Sequence, residues 1–521
     1  MNRKNLTAAV LAGLAGAAGI VGSAQAVNIN PDGLGQVLIY PYYTVNGGNV
    51  TLLSVVNTSE DAKAVKVRFM EGQNSQEVLD FNLYMSPFDV WVAAIFDNGE
   101  AIQAPTLVVN DTTCSVPYVY SFDADGDGER DGMQVFLPYE MAKDGGATTL
   151  DRAAEGHFEM IEMGTLVGSS ADAADHGAAG VPAGCDTLVG AWTDPDNTVV
   201  GDEGYWLQDP FVDMEAPSGG LFGGAAIVNV RGGTMYSYDA KAINGYADDV
   251  LASDVLHQVP GSTLPSLNSG NGYTATVFLD NGVTLDSGSF SRGVDAISYL
   301  FMHDQIMNTY TTGGIANGET EWVITFPTKA FYVYEESSGS ASPVAPFTST
   351  WDGSGACEVV VLDTLWDREE QVAGLIPGQP IPPIVSPAPP NPEIPGVVPF
   401  SLCFETSIIE FNGDQASIDT SSSILGSANF HTIDNGALGF EAGWARLQLA
   451  EHPETDAAGE IIPGGNTLTR NLDSLTGLPV TGFAVERFSN GTLTNDAGEA
   501  VLANYGGIFG HKGTRMQSAS D

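Results

Sequence analysis

The acidic segment 123–132 has the residue types and spacing in this sequence that best suit a chemical role. It reads DADGDGERDG, so carboxylates alternate with glycines that permit a tight turn. Oxygen ligands brought together on such a turn bind Ca²⁺, and without a cation their charges would repel one another. The expected ligands are Asp123, Asp125, Asp127, Asp131 and, through its main-chain carbonyl, Glu129.

The segment departs from a complete EF-hand loop. Such a loop needs a bidentate Glu at its twelfth position, and counting from Asp123 that position is Gln134. The sequence therefore predicts an Asp-rich calcium loop with an EF-hand-like start, and a solvated acidic turn is the alternative.

Four common catalytic motifs are missing from the sequence. It contains no Gly-x-Ser-x-Gly, His-Glu-x-x-His, phosphate-binding Gly-Lys-Ser/Thr or Cys-x-x-Cys pattern. His303 beside Asp304 could orient a base, and 367–370 (DREE) sets a guanidinium among carboxylates. A structural role is the more ordinary explanation for both, so the sequence favours a protein without catalytic activity.

Aromatic residues offer another route to function. Tyr40, Tyr42 and Tyr43 surround Pro41 and could stack against sugars. Packing in a core or across strands is the favoured alternative.

The elements that must position these residues are mostly strands. Sixty-two glycines disfavour helices, since an interior Gly costs about 1 kcal/mol relative to Ala. Segments 36–45 and 49–57 flank Asn46-Gly47-Gly48, which predicts a hairpin. In 64–69, apolar residues alternate with Lys66 and Arg68, which predicts a half-buried strand.

Further segments have strand patterns, and one has the spacing of a helix. The strand segments are 90–96, 157–162, 225–230, 273–279, 322–326, 330–334, 358–362, 402–411 and 440–449; the helix is 294–311. The predicted fold class is mainly β, with β-sandwich modules, long loops and one short helix.

Four cysteines make an even number, which predicts two disulfides in an exported protein. Three connectivities are possible. We expect the pairing of nearest neighbours, Cys114 with Cys185 and Cys357 with Cys403.

The composition divides the chain into regions. Residues 27–376 form a β-sandwich-rich region, 377–399 are dense in proline, and 400–521 form a C-terminal β region that could complete the preceding domain. The proline segment favours an extended polyproline II conformation. It is either a linker or a surface excursion within one domain, and a Cys357–Cys403 bridge would tie its two sides together.

The N-terminus predicts export. Arg3 and Lys4 precede an apolar run at 6–22 and an Ala24-Gln25-Ala26 site, so 1–26 has the parts of a secretory signal peptide. The mature chain then begins at Val27. The alternative, a membrane anchor, is disfavoured because the run is short and small-sided.

The charge of the chain limits its partners. It carries 18 Lys and Arg against 65 Asp and Glu, a net charge of −47. Without the signal peptide, 16 basic residues oppose 65 acidic ones and the net charge is −49. This charge excludes nucleic acid and anionic lipid as expected partners, and it favours divalent cations, saline surroundings or simple solubility.

Several stretches together resemble a family of exported proteobacterial proteins labelled only as hypothetical or cell-surface proteins. They are 35–44 (GQVLIYPYYT), 63–69 (KAVKVRF), 322–329 (WVITFPTK), 357–358 with 367–370, and 502–507 (LANYGG). The resemblance extends over nearly the whole mature chain, and it implies no activity and no functional residues.

The sequence predicts an exported, Gram-negative, non-catalytic protein at the cell surface or outside the cell, with the periplasm as the alternative. It would be stabilised by calcium and disulfides and would act by self-assembly or by binding a cell-surface glycan. A secreted polysaccharide-binding protein or hydrolase is the other hypothesis. Flat self-complementary sheet faces would favour assembly, and a cleft with two carboxylates and flanking aromatics would favour the other hypothesis.

Overall fold

In the computed structural model of the protein, the described residues are 26–99, 104–117, 132–194, 203–247, 254–279, 282–314, 317–374, 399–412, 420–436, 439–450, 466–468, 474–489, 494–495, 497–498, 501 and 504–517. The fold is mainly β, with 47% strand and 13% helix, which confirms the predicted class. The signal peptide and the proline-rich segment, except for residue 26 and Pro399, lie outside these residues.

The described strands, in chain order, fall into three groups. The first group is β1 Asn28–Ile29, β2 Val37–Thr44, β3 Val50–Asn57, β4 Ala62–Glu71, β5 Glu77–Met85, β6 Val90–Asp97, β7 Pro105–Val109, β8 Cys114–Val116, β9 Gly132–Val135, β10 Glu155–Leu166 and β11 Met214–Glu215. The second is β12 Leu221–Asn229, β13 Thr234–Asp239, β14 Lys241–Asn244, β15 Thr274–Phe278, β16 Thr284–Ser289, β17 Met302–His303, β18 Gln305–Thr311, β19 Gly318–Thr325 and β20 Glu358–Asp367. The third is β21 Val372–Gly374, β22 Pro399–Leu402, β23 Thr406–Phe411, β24 Phe430–Ile433, β25 Ala442–Gln448, β26 Asn466–Leu468, β27 Leu475–Pro479, β28 Thr481–Ser489, β29 Asn504–Gly510, β30 Lys512–Thr514 and β31 Met516–Gln517.

The described helices are short and lie between strands. They are α1 Gly168–Ala174, α2 Cys185–Gly190, α3 Tyr205–Gln208, α4 Gly293–Phe301, α5 Ala330–Val333 and α6 Glu335–Ser338. None of them is long and apolar enough to cross a membrane.

Four large sheets organise these strands. Sheet I has the order β1-β14-β2-β10-β4-β5-β8, with β11 beside β10, and sheet II has the order β13-β12-β3-β6-β7-β9. Sheet III has the order β21-β20-β25-β18-β30, with β22 beside β20, and sheet IV has the order β24-β23-β19-β28-β29. Two smaller sheets are β15-β16 and β17-β27-β26 with β31.

Hydrophobic cores join the large sheets into layers. One face of sheet I packs against the inner faces of sheets II and IV, as Tyr40, Trp91 and Phe483 share one core. The other face of sheet IV packs against sheet III through a second core that includes Trp322 and Leu447. The central strands of sheet IV are therefore buried on both faces, and seven of the eight residues of β19 are buried.

The predicted hairpin at Asn46-Gly47-Gly48 is wrong, although both of its strands exist. β2 pairs with β10 and β14 in sheet I, and β3 pairs with β12 and β6 in sheet II. The turn carries the chain from one layer of the sandwich to the other. A turn sequence fixes the reversal of the chain but not whether its two strands pair with each other.

The predicted half-burial of 64–69 is also wrong, because β4 is buried on both faces. Each of its three basic side chains meets acidic side chains. Lys63 lies on the face of β4 that also carries Val65 and Val67, and the polar face carries Lys66 and Arg68. Lys63 lies 2.7 Å from Glu162, Lys66 pairs with Asp80, and Arg68 pairs with Glu77 and Glu159. The alternation predicts this face as solvent-exposed, but ion pairing satisfies the charges inside the protein.

Two predicted elements differ from the structure, one in length and one in type. The helix expected over 294–311 ends at Phe301, and Gln305–Thr311 forms β18, whose residues pair with β25. The strand expected over 330–334 is the helix α5 instead, with Tyr332 and Val333 in a core. In both segments tertiary packing overrides an ambiguous local pattern.

The two disulfides join Cys114 to Cys185 and Cys357 to Cys403, which confirms the predicted pairing. Cys357 and Cys403 flank a region in which β21 and β22 both pair with β20. The strands before and after the proline-rich segment therefore belong to the same sheet, as an excursion from one domain requires.

Candidate functional site

The predicted calcium loop, with Asp123, Asp125, Asp127, Glu129 and Asp131, lies outside the described residues. Its two flanks are described: β8 precedes it at an edge of sheet I, and β9 follows it at an edge of sheet II. The loop thus connects the two layers of the N-terminal sandwich. Elsewhere in the described chain, no group of three or more His, Cys, Asp and Glu side chains could hold a metal ion.

His303 occupies a structural position. It lies in β17 after the end of α4, and its Nδ1 donates a hydrogen bond to the carbonyl oxygen of Phe301 over 2.9 Å. Burial, reinforced by the nearby charge of Arg515, lowers the pKa of His303 to about 3. A neutral imidazole committed to a carbonyl acceptor is poorly suited to proton transfer at neutral pH.

The acidic segment 367–370 forms the corner after β20. The carboxylate of Asp367 accepts hydrogen bonds from the backbone of Glu369 and Gln371, and Arg368 lies 2.8 Å from Glu369 on the surface. These contacts fit the structural interpretation of the segment as an ion-pair corner at the end of a strand.

The three tyrosines near Pro41 are fully buried. Tyr40 stacks on Phe158 with ring centroids 4.1 Å apart, and Tyr42 donates a hydrogen bond to Glu155 over 2.8 Å. The core-packing alternative is therefore confirmed, and these rings offer no sugar platform.

The outer face of sheet II is the most distinctive surface of the described molecule, and the sequence analysis did not identify it. Its inner face carries core residues such as Leu53 and Trp91. On the outer face, Leu52 is 41% exposed, Val92 is 45% exposed and Met235 is 58% exposed. Because side chains alternate along a strand, every second residue of each strand in sheet II lies on this outer face.

The strand register arranges the outer face in continuous rows. One row takes a residue from each of the six strands in turn: Ser237, Ala226, Leu52, Ala94, Val108 and Met133. The next row on this face joins Asp239, Gly224, Ser54 and Val92. The row after it joins Phe222, Val56 and Val90, of which Phe222 is 43% exposed. Apart from Asp239 at the β13 edge, the residues of these rows are apolar or neutral.

Charge is almost absent from sheet II. In its six strands the charged residues are Asp97 and Asp239, each the last residue of its strand. In a chain with 65 acidic residues, this broad face thus carries only Asp239, at its edge, among the residues of the six strands. The signal was present in 50–57 (VTLLSVVN) and 90–96 (VWVAAIF), where the positions between core residues are apolar, apart from Ser54, and none is charged. An exposed apolar patch of this kind marks an interaction surface.

The size of this face suits a protein interface. Six strands about 4.8 Å apart span about 24 Å, and eight residues along a strand span about 26 Å. Two such faces in contact would bury about 1,200 Å² in total, at the lower end of the range for stable complexes.

Comparison of the chain with protein-family models, curated proteins and solved structures finds no match. The resemblance to a family of exported proteobacterial proteins therefore stays a prediction.

Proposed function

We propose that this is an exported, non-catalytic structural protein that assembles with copies of itself through the outer face of sheet II. The observation that carries the proposal is the apolar outer face defined by Leu52, Val92, Phe222 and Met235, whose strands bring only Asp239, at one edge, as a charged residue. A flat apolar face with polar surroundings favours burial against another protein surface, because removing apolar area from water is the main driving force of association.

The occupant of this face is a second copy of the chain. Two copies with a charge near −47 repel each other over most orientations, and the repulsion is weakest where charge is absent. A two-fold axis through the face would set the same residues of both copies against one another. The acidic surface around it would then limit association to this face.

Export and calcium binding belong to the same proposal. The two disulfides fit an oxidising compartment, and the segment 1–26 has the parts of a signal peptide. The acidic loop between β8 and β9 would bind Ca²⁺ and fix the two sheets relative to each other at that edge, with Asp123, Asp125 and Asp127 as its main ligands.

Sedimentation velocity over a concentration series tests the assembly. Wild type should shift from monomer to dimer or larger species, and Val92→Glu should remain monomeric, because it would place two carboxylates at the centre of the contact. Val259→Glu is the matched control, since Val259 lies in a loop and is 43% exposed against 45% for Val92.

Two outcomes would reject self-assembly. Wild type could remain monomeric at every concentration, or Val92→Glu and Val259→Glu could associate alike. Co-sedimentation of monomeric wild type with neutral lipid vesicles would instead assign the face to a lipid surface.

A further inference from the structure

A cavity of 280 Å³ lies over the polar face of sheet I, on the side away from sheet II. Its floor comes from β4, β5 and β10 through Arg68, Glu77, His157 and Glu159. The loop around Ser266 and the helices α5 and α6 close its sides. This volume is close to the lower limit for small-molecule sites, which suits a ligand of one ring.

The floor presents acceptors for hydrogen bonds. The guanidinium of Arg68 binds one oxygen of Glu77 at 2.6 Å and one oxygen of Glu159. The register sets Arg68 directly across from Glu159. Among the hydrogen bonds of the described residues, no other side chain binds these two carboxylates, so each keeps an oxygen for a hydroxyl donor.

His157 is a second and independent sign of a missing ligand. Its side chain is 2% exposed, and its Nδ1 has no hydrogen-bond partner among the described residues. Burial lowers the pKa of His157 to about 3, with Arg68 adding to the effect, so the ring is neutral. An unpartnered buried nitrogen costs about 1–3 kcal/mol, which a polar ligand or water would recover.

The mouth of the cavity has two further properties. The partly exposed rings of Phe331 and Tyr334 lie there, and aromatic faces suit the C–H face of a sugar ring. At the same mouth Glu140 pairs with Lys143 over 2.6 Å, and Glu336 leaves the rim with a net negative charge that repels anions. Hydroxyl acceptors, aromatic rings and an acidic rim together select a neutral, hydroxyl-rich ring.

We infer that this cavity binds one neutral sugar unit, with Glu77 and Glu159 accepting from its hydroxyls and the mouth aromatics packing on its ring. Burial raises the pKa of Glu77 to about 7 against the opposing effect of Arg68, so near neutral pH this carboxyl both accepts and donates. The inference is independent of self-assembly, because the cavity and the outer face of sheet II lie on different sheets.

Saturation-transfer NMR with D-glucose, D-galactose and N-acetyl-D-glucosamine tests the inference on the full mature chain. At least one sugar should receive saturation. Glu77→Gln should weaken its binding about tenfold or more, the effect of one lost charge-assisted hydrogen bond. Glu162→Gln is the matched control, since Glu162 is also buried and ion-paired in the same sheet but pairs with Lys63 outside the cavity.

A second variant keeps the test decisive if Glu77→Gln does not fold. Tyr334→Ala removes a partly exposed ring at the mouth and should also weaken binding. Absence of saturation transfer to all three sugars, or unchanged binding by the folded cavity variants, would overturn the inference. Binding of tetramethylammonium in place of the sugars would assign the cavity to organic cations.

Discussion

Replacing Glu321 with glutamine should give a stability defect that shrinks as the pH rises. Glu321 lies in β19, is fully buried, and holds the segment 422–425 against sheet IV. One carboxylate oxygen accepts from the backbone N–H of Ile424 and the hydroxyl of Ser423. The other accepts from the backbone N–H of Leu425 over 3.0 Å and the hydroxyl of Ser422 over 3.0 Å.

The magnitude at low pH follows from this geometry. An amide has one oxygen, so in either orientation its NH₂ group faces one backbone N–H and one hydroxyl. The hydroxyl can rotate and accept, but the backbone N–H is left without a partner. A buried unsatisfied donor costs about 1–3 kcal/mol, which is the expected loss for Glu321→Gln at about pH 5.

The pH dependence follows from the burial of the charge. Burial raises the pKa of Glu321 to about 7, and the charge of Glu410 adds to the shift, although the hydrogen bonds from Ile424, Leu425 and Ser422 oppose it. Because the pKa of Glu321 is higher in the folded protein than in the unfolded chain, its protonated carboxyl stabilises the folded state. This stabilisation is complete below the unfolded pKa near 4.5 and is lost as the pH rises through about 7. At 1.36 kcal/mol per pKa unit, the free energy of unfolding of wild type should fall by at most about 3 kcal/mol because of this residue. The Glu321→Gln variant does not titrate here and should not show this loss. The variant should therefore approach or exceed the stability of wild type at about pH 8.

Urea unfolding followed by tryptophan fluorescence at about pH 5 and about pH 8 measures both effects. Glu319→Gln is the control on the same strand, because Glu319 is partly exposed and its pair with Arg487 should contribute less than about 1 kcal/mol. A defect that stays constant or widens with pH would refute the reasoning, since it would mean that the four donors outweigh burial and keep Glu321 ionised.

Three further predictions concern other parts of the chain. Calcium should raise the melting temperature of wild type, with about 2.7 kcal/mol of stabilisation at a concentration of 100 times the dissociation constant, and the double variant Asp125→Asn, Asp127→Asn should lose most of that gain. If calorimetry gives the same melting temperature with calcium and with chelator, the loop is an ordinary acidic turn. Replacing Cys357 and Cys403 with serine should lower the unfolding free energy by about 4 kcal/mol, the loop-closure value for their separation of 46 residues, and an unchanged urea midpoint would contradict this. Gly223→Ala should destabilise the protein by about 1–3 kcal/mol, because the new methyl group would collide with the Tyr40 hydroxyl that donates a hydrogen bond to the carbonyl of Ser54. Gly190→Ala is the control: its methyl group would meet open space, so the thermal midpoint should change little.

The sequence by itself determined the local properties of the fold. Alternation and turn residues placed β2, β3 and β4 within a residue or two of their observed limits, because side-chain direction along a strand depends only on neighbouring residues. The chain order of the cysteines was enough to suggest the right pairing. For the candidate site, the apolar outward positions of β3 and β6 were already visible, although the face that they form was not.

Only the tertiary structure decided which strands pair and which faces are covered. β2 pairs with β10, more than a hundred residues away in the chain, rather than with β3 after the next turn. Lys66 and Arg68 have the pattern of a solvent-facing row, but carboxylates from β5 and β10 surround them inside the protein. The outward positions of β3 and β6, among them Leu52 and Val92, have the pattern of a buried face, yet these two side chains stay exposed. Burial depends on packing between layers whose residues are far apart in the chain. The periodicity of a single strand does not record whether another layer covers its outer face.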